Sequence, residues 1–153
     1  MKLDNIDKQI LIELQNSGRE SASNIAEKIS VSVPTITERI RKLQDIGVIT
    51  GFQAIVDSSM LGLDVTAIIT IISGSSQYYK DVTLSAEGTP EIVQCFSTTG
   101  NGSHTLLVIT KNSNTLEELL RKIQSWPGVI RTETQLVLSS YKNGTIIPIP
   151  KNQ

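Results

Sequence analysis

The stretch SASNIAEKISVSVPTITERIRKLQDIGVI at residues 21–49 decides the reading of this chain. It parses as two short helices joined by a turn. Ser21 or Ser23 can cap the first, whose Ile25, Ala26 and Ile29 face inward, and the small Ala26 permits a close helix crossing. Ser30–Ser32 forms the turn. Ser32 is a good N-cap for the second helix, with Thr35 three residues on. Val33 and Pro34 fall in its first turn, where proline's missing N–H costs little. Ile36, Ile40 and Leu43 are then spaced four and three apart on one face, while Thr35, Thr37, Glu38 and Arg41 point elsewhere. Gly47 ends the helix.

Such a pair places a recognition helix in the major groove of DNA. Base edges then meet the solvent face near the helix start, with Arg39, Arg41 or Lys42 in reach of phosphates. The plainer reading is a three-helix bundle that touches no DNA and whose basic cluster is a solvated face. Residues 1–50 hold seven Lys or Arg and seven Asp or Glu, so the position of the cluster carries the DNA reading, not bulk charge. Glu38 is the awkward residue: it accepts from a cytosine amine, or it pairs with Arg41 or Lys42.

Upstream, Asp4 or Asn5 can cap a first helix with Asp7 in its opening turn and Ile6, Ile10, Leu11 and Leu14 as its apolar stripe, ending near Asn16–Gly18. Downstream, Gly51–Val56 reads as a short strand and Asp57–Gly62 as a turn. The pattern then becomes strand Val65–Ile72, helix Tyr78–Glu87, strands Ile92–Ser97 and Leu106–Thr110, a helix, and a long strand Val129–Ser140. That second helix carries Leu116, Leu119, Leu120 and Ile123 and has Asn114 or Thr115 as cap candidates. This βαββαβ order is ferredoxin-like. A sheet with both helices on one face leaves the other open, and strands this rich in Ile, Val and Leu call for a second subunit there.

Composition narrows the function. With 153 residues, 39% of them hydrophobic and 19% charged, and a net charge of −1, the chain fits a soluble protein that does not coat DNA indiscriminately. Cys95 is the single cysteine, so no intrachain disulfide or cysteine-based metal site is expected. No signal peptide or membrane span is legible, and a cytoplasmic protein is expected. His104, the only histidine, has no carboxylate beside it, and Ser97–Thr99 and Ser139–Ser140 have no neighbouring base. Gly100-Asn101-Gly102 lacks the lysine that completes a phosphate loop. No enzyme, cofactor or metal is expected. The glycine-rich loop reads as a small-molecule or subunit-contact site, or as a plain tight turn.

The segments LDNIDKQILIELQNSGR at 3–19, SASNIAEKISVSVPTITERIRKLQDIGVITGFQAIVD at 21–57, STTGNGSHTLLVIT at 97–110 and WPGVIRTETQLVL at 126–138 together resemble the Lrp/AsnC (leucine-responsive, feast/famine) family. The resemblance implies an α+β chain, with an N-terminal winged helix-turn-helix domain followed by a ferredoxin-like βαββαβ domain. The expected boundaries are 1–50 for the DNA-binding domain, 51–62 for a hinge strand and linker, 63–141 for a ligand-sensing and oligomerisation domain, and 142–153 for a C-terminal tail. It implies a sequence-specific transcriptional regulator that binds double-stranded DNA as a homodimer assembling to an octamer, modulated by an amino acid or related small molecule bound between dimers. An architectural DNA-wrapping protein with little operator selectivity and no effector is the alternative.

By the same resemblance Ser32, Thr35, Thr37, Glu38, Arg39 and Arg41 occupy recognition-helix positions and, with Pro34 and Lys42 of the same helix, are the DNA-binding candidates; Gly100, Asn101, Gly102, Ser103 and His104 are the ligand-binding loop. The family's aspartate in that loop, which helps hold a ligand's amino group, is replaced by Ser103. A neutral hydroxyl cannot supply the charge-assisted bond of a carboxylate, which weakens the case for an ordinary amino-acid effector.

Overall fold

The computed structural model describes residues 3–142, 144 and 146–150. Three helices open the chain: α1 (Asn5–Asn16), α2 (Ala22–Ile29) and α3 (Val33–Asp45). Asp4 caps α1 through a reciprocal box with Asp7, Ser21 caps α2, and Ser32 caps α3 with Pro34 in the first turn. Ile10, Ile25, Ala26, Ile36 and Leu43 make the core of these helices, with Ile40 packed against it half-buried. The α2–α3 turn depends on Ser30, which adopts the left-handed conformation at φ 57° and ends α2.

The strand expected over Gly51–Val56 does not form: residues 51–57 carry neither helix nor ladder. An extended segment becomes a strand only beside a hydrogen-bonding neighbour, and none of the described residues supplies one. The expected turn at 57–62 is a short 3-10 helix, Ser59–Leu61, anchored by Asp57, whose carboxylate accepts from the Ser59 N–H and hydroxyl at 2.9 and 2.7 Å.

Next come β1 (Val65–Ser73), α4 (Tyr79–Glu87), β2 (Ile92–Ser97), β3 (His104–Thr110), α5 (Ser113–Gln124) and β4 (Val129–Leu136). They form a four-stranded antiparallel sheet in the order β2-β3-β1-β4. Alternate β1 residues Ala67, Ile69 and Ile71 are buried with Val82 of α4 and Leu116, Leu119 and Ile123 of α5, so both helices cover one face. The opposite face carries Ile68, Ile72, Leu107 and Phe96, in register with Thr70, Thr105 and Gln94. Three local expectations shift. The cap of α5 is Asn112, boxed with Thr115; β3 begins at His104; and β4 stops at Leu136, four residues before Ser140.

The described residues through Ile55 and those from Lys142 onward form one compact unit, and Val56–Tyr141 the other. Within the first unit the Gln15 side-chain amide clasps the backbone of Ile147. Its Nε2 donates to the Ile147 carbonyl at 3.1 Å, and its Oε1 accepts from the Ile147 N–H at 2.7 Å. Of the expected tail 142–153, residues 143, 145 and 151–153 lie outside the described residues. Among the described residues no helix is long and apolar enough to cross a membrane.

The left-handed Ser30 yields a prediction. A non-glycine side chain there costs about 1 kcal/mol, so Ser30→Gly raises the urea midpoint and Ser30→Val lowers it. A lower midpoint for Ser30→Gly would show that the serine side chain contributes something the turn geometry does not reveal.

Candidate functional site

α3 is oriented by its buried side, and the solvent side is what remains. Ile36 is fully buried and Leu43 only 1% exposed, so the residues opposite them are presented outward. Val33, Pro34, Thr37, Glu38 and Arg41 line one open surface on that side. Ser32 and Thr35 are occupied with each other: their hydroxyls lie 2.7 Å apart, and the Ser32 hydroxyl accepts from the Thr35 N–H. The Thr37 hydroxyl donates to the Val33 carbonyl at 3.1 Å. Glu38, Arg41 and Lys42 are exposed and enter no ion pair among the described residues. Glu38 therefore pairs with neither of its basic neighbours.

Arg39 behaves differently from Arg41 and Lys42. Its Nη1 lies 2.5 Å from Asp4 and 2.8 Å from Asp7, the two carboxylates of the α1 capping box. The interaction spans 35 residues of sequence and fastens α3 to the start of α1. The backbone hydrogen bond from Asp7 holds the Asp4 carboxyl below its ordinary value, and Arg39 adds to that; the same pairing raises the guanidinium. Of the eight predicted DNA-facing residues, Arg39 is thus engaged inside the fold. Val33, which the sequence reading left out, joins the exposed patch.

The ligand-loop candidates also divide. Gly100 and Asn101 are exposed and Gly102 is half-buried, whereas Ser103 is 7% and His104 only 1% exposed. The Ser103 hydroxyl shares hydrogen bonds at 2.8 Å with Ser73 and with His104 Nδ1, and its N–H donates to the Ile71 carbonyl at 2.9 Å. Tyr79 stands edge-on to the imidazole at 5.0 Å between ring centres. Burial lowers the His104 pKa, which favours a neutral ring. Gly102 must be glycine for space: a Cβ there would collide with Thr70 and come within 2.8 Å of the Ile71 carbonyl. Ser103 and His104 thus brace the loop from inside, while the backbone at residues 100–102 is the accessible part. Cys95, its thiol pushed up by burial, is half-buried in β2. Among the described residues no cluster could hold a metal ion.

Comparison with known proteins places these features in context. The profile of the AsnC-type helix-turn-helix domain matches residues 3–44, and that of the Lrp/AsnC ligand binding domain matches 65–147. The chain is 40% identical over 147 residues to the HTH-type transcriptional regulator FL11 of Pyrococcus horikoshii, covering 96% of this chain and 97% of that one. It is 33% identical to the regulatory protein AsnC of Escherichia coli, covering 95% and 97%. Its fold matches that of E. coli AsnC with a TM-score of 0.89 at 32% identity, covering 97% and 100%. A Neisseria meningitidis transcriptional regulator solved in complex with L-Met gives 0.92 at 26% identity, covering 96% and 97%.

The Arg39 contact makes a prediction about acid. Asp4 titrates below its ordinary 3.8 in the folded chain, so its contribution to stability is complete above that value and lost as pH falls through the lower, folded one. Arg39→Ala should cost about 1 kcal/mol at neutral pH, the upper end for an ion pair still screened by solvent on its Asp4 side. It should also blunt the loss of stability below pH 3.8. Chemical denaturation across pH, wild type against variant, reads both; parallel profiles would count against the assignment.

Proposed function

The chain belongs to the Lrp/AsnC family of DNA-binding transcriptional regulators, and from that premise we propose how it meets DNA and what controls it. The exposed face of α3 enters the major groove, with Pro34, Thr37 and Glu38 toward base edges and Arg41 and Lys42 toward phosphates. Ser32 and Thr35 hold the helix start in shape at the DNA surface. The observation that carries this reading is that Arg41 and Lys42 stand exposed with no carboxylate paired to them among the described residues, while Arg39 beside them has two.

The regulator acts as a homodimer. The open sheet face with Ile68, Ile72, Leu107 and Phe96 calls for a cover, and so does the unladdered segment 51–57, where Phe52 and Ile55 are 50% and 90% exposed. A dimer presents two copies of α3 to a two-fold symmetric operator, about 34 Å apart or at a multiple of that spacing. Assembly of four such dimers into an octamer, action in the cytoplasm, and control by an amino acid or related small molecule belong to the same proposal. For the effector, the accessible backbone of Gly100, Asn101 and Gly102 supplies the binding groups, with Ser103 and His104 setting the loop's shape. The second reading, an architectural protein with little operator selectivity, is disfavoured by the chain's net charge of −1.

Arg41→Ala and Lys42→Ala should each weaken DNA binding. If a phosphate contact is lost, the slope of log affinity against log salt falls by about 0.9 and sequence preference is kept. Unchanged affinity in both variants would remove α3 from the interface. Light scattering of the protein with each of the twenty amino acids tests the effector: one that shifts the assembly identifies a ligand. No shift, together with no amino acid altering operator affinity, would leave the loop without an effector role.

A further inference from the structure

A carboxylate on a surface that meets phosphates is unfavourable unless the nucleic acid offers it a donor. Glu38 is such a group. It lies on the outward side of α3 among Val33, Pro34, Thr37 and Arg41, exposed and with no ion pair among the described residues. Neither Arg41 nor Lys42 forms an ion pair with it. We infer that Glu38 is a specificity-determining residue that selects a C·G base pair in each half-site, accepting a hydrogen bond from the cytosine N4 amine. The inference rests on the proposal that α3 enters the major groove.

Base chemistry narrows the choice to cytosine. Guanine and thymine offer no hydrogen-bond donor in the major groove, and their acceptor atoms repel a carboxylate. Adenine has an N6 donor, but the N7 acceptor beside it faces the second carboxylate oxygen. Cytosine alone offers the donor with no acceptor on its own edge. The surroundings of Glu38 add a second preference. Pro34 and Val33 are apolar, and the Thr37 hydroxyl is taken by the Val33 carbonyl, so this side of the patch suits the C5-methyl of thymine rather than a polar edge. The half-site read by α3 therefore carries a cytosine next to a thymine contact.

The test is in vitro selection by the full-length protein from duplexes with a randomised segment, using the wild type, Glu38→Ala and Glu38→Gln. The wild type should recover a cytosine at a fixed position of each half-site. Glu38→Ala should lose that preference, by roughly tenfold, while the other positions persist and binding to unrelated DNA tightens. Glu38→Gln should move the position to adenine, whose N6 and N7 match a side-chain amide. In the selected duplex, deoxyuridine in place of the thymine should weaken the wild type about fourfold, the effect of one buried methyl.

A cytosine position unchanged in Glu38→Ala, or sites recovered without cytosine, would overturn the role of Glu38 and leave groove reading by α3 standing. DNA bound by the wild type with no sequence recovered would overturn both and favour the architectural reading.

Discussion

The burial of Ile36 and Leu43 fixes the rotation of α3 about its own axis, and which side chains the helix presents to solvent follows from that rotation. A helix with a 3.6-residue period cannot turn by one position without bringing a polar residue into the core. Thr35 and Thr37 flank Ile36, so a slip by one position either way would bring a hydroxyl into its place. The Arg39 contact to Asp4 and Asp7 adds a polar clamp at the edge of the same interface. Apolar burial supplies the energy, and the clamp supplies direction, because a guanidinium donates to its carboxylates only in a narrow set of geometries.

The sheet unit uses the same division of labour. Ala67, Ile69 and Ile71 bind the sheet to its helices, while the buried Ser103 and His104 and the half-buried Ser73 form a polar knot beneath the β2–β3 connection. Every buried side-chain N or O among the described residues has a partner, so the knot adds definition without leaving a desolvated group unsatisfied. The close approach of Gly102 to β1 then holds the loop backbone near the sheet.

Much of this was legible in the chain because it is local. The serine caps of α2 and α3, the Ile36–Leu43 stripe and the βαββαβ order depend on spacings of a few residues, and they appear where periodicity and cap chemistry put them. The missed features are those that depend on distant partners. Nothing near Arg39 distinguishes it from Arg41, since its carboxylates are more than 30 residues away. Ser103 and His104 look like exposed loop residues until β1 is laid beside them. The segment 51–57 has strand composition but no neighbour to pair with among the described residues, and a strand is a property of pairs.

The clasp between Gln15 and Ile147 makes the helical unit discontinuous in sequence, assembled from a segment up to Ile55 and another from Lys142 onward. Modular engineering usually treats such a reader head as a bead severable at one joint. Here a chimera joined after residue 55 would carry the three helices but leave Gln15 facing a foreign C-terminus. Transplanting the head intact takes two junctions, and during ribosomal synthesis the head is complete only once the rest of the chain has emerged.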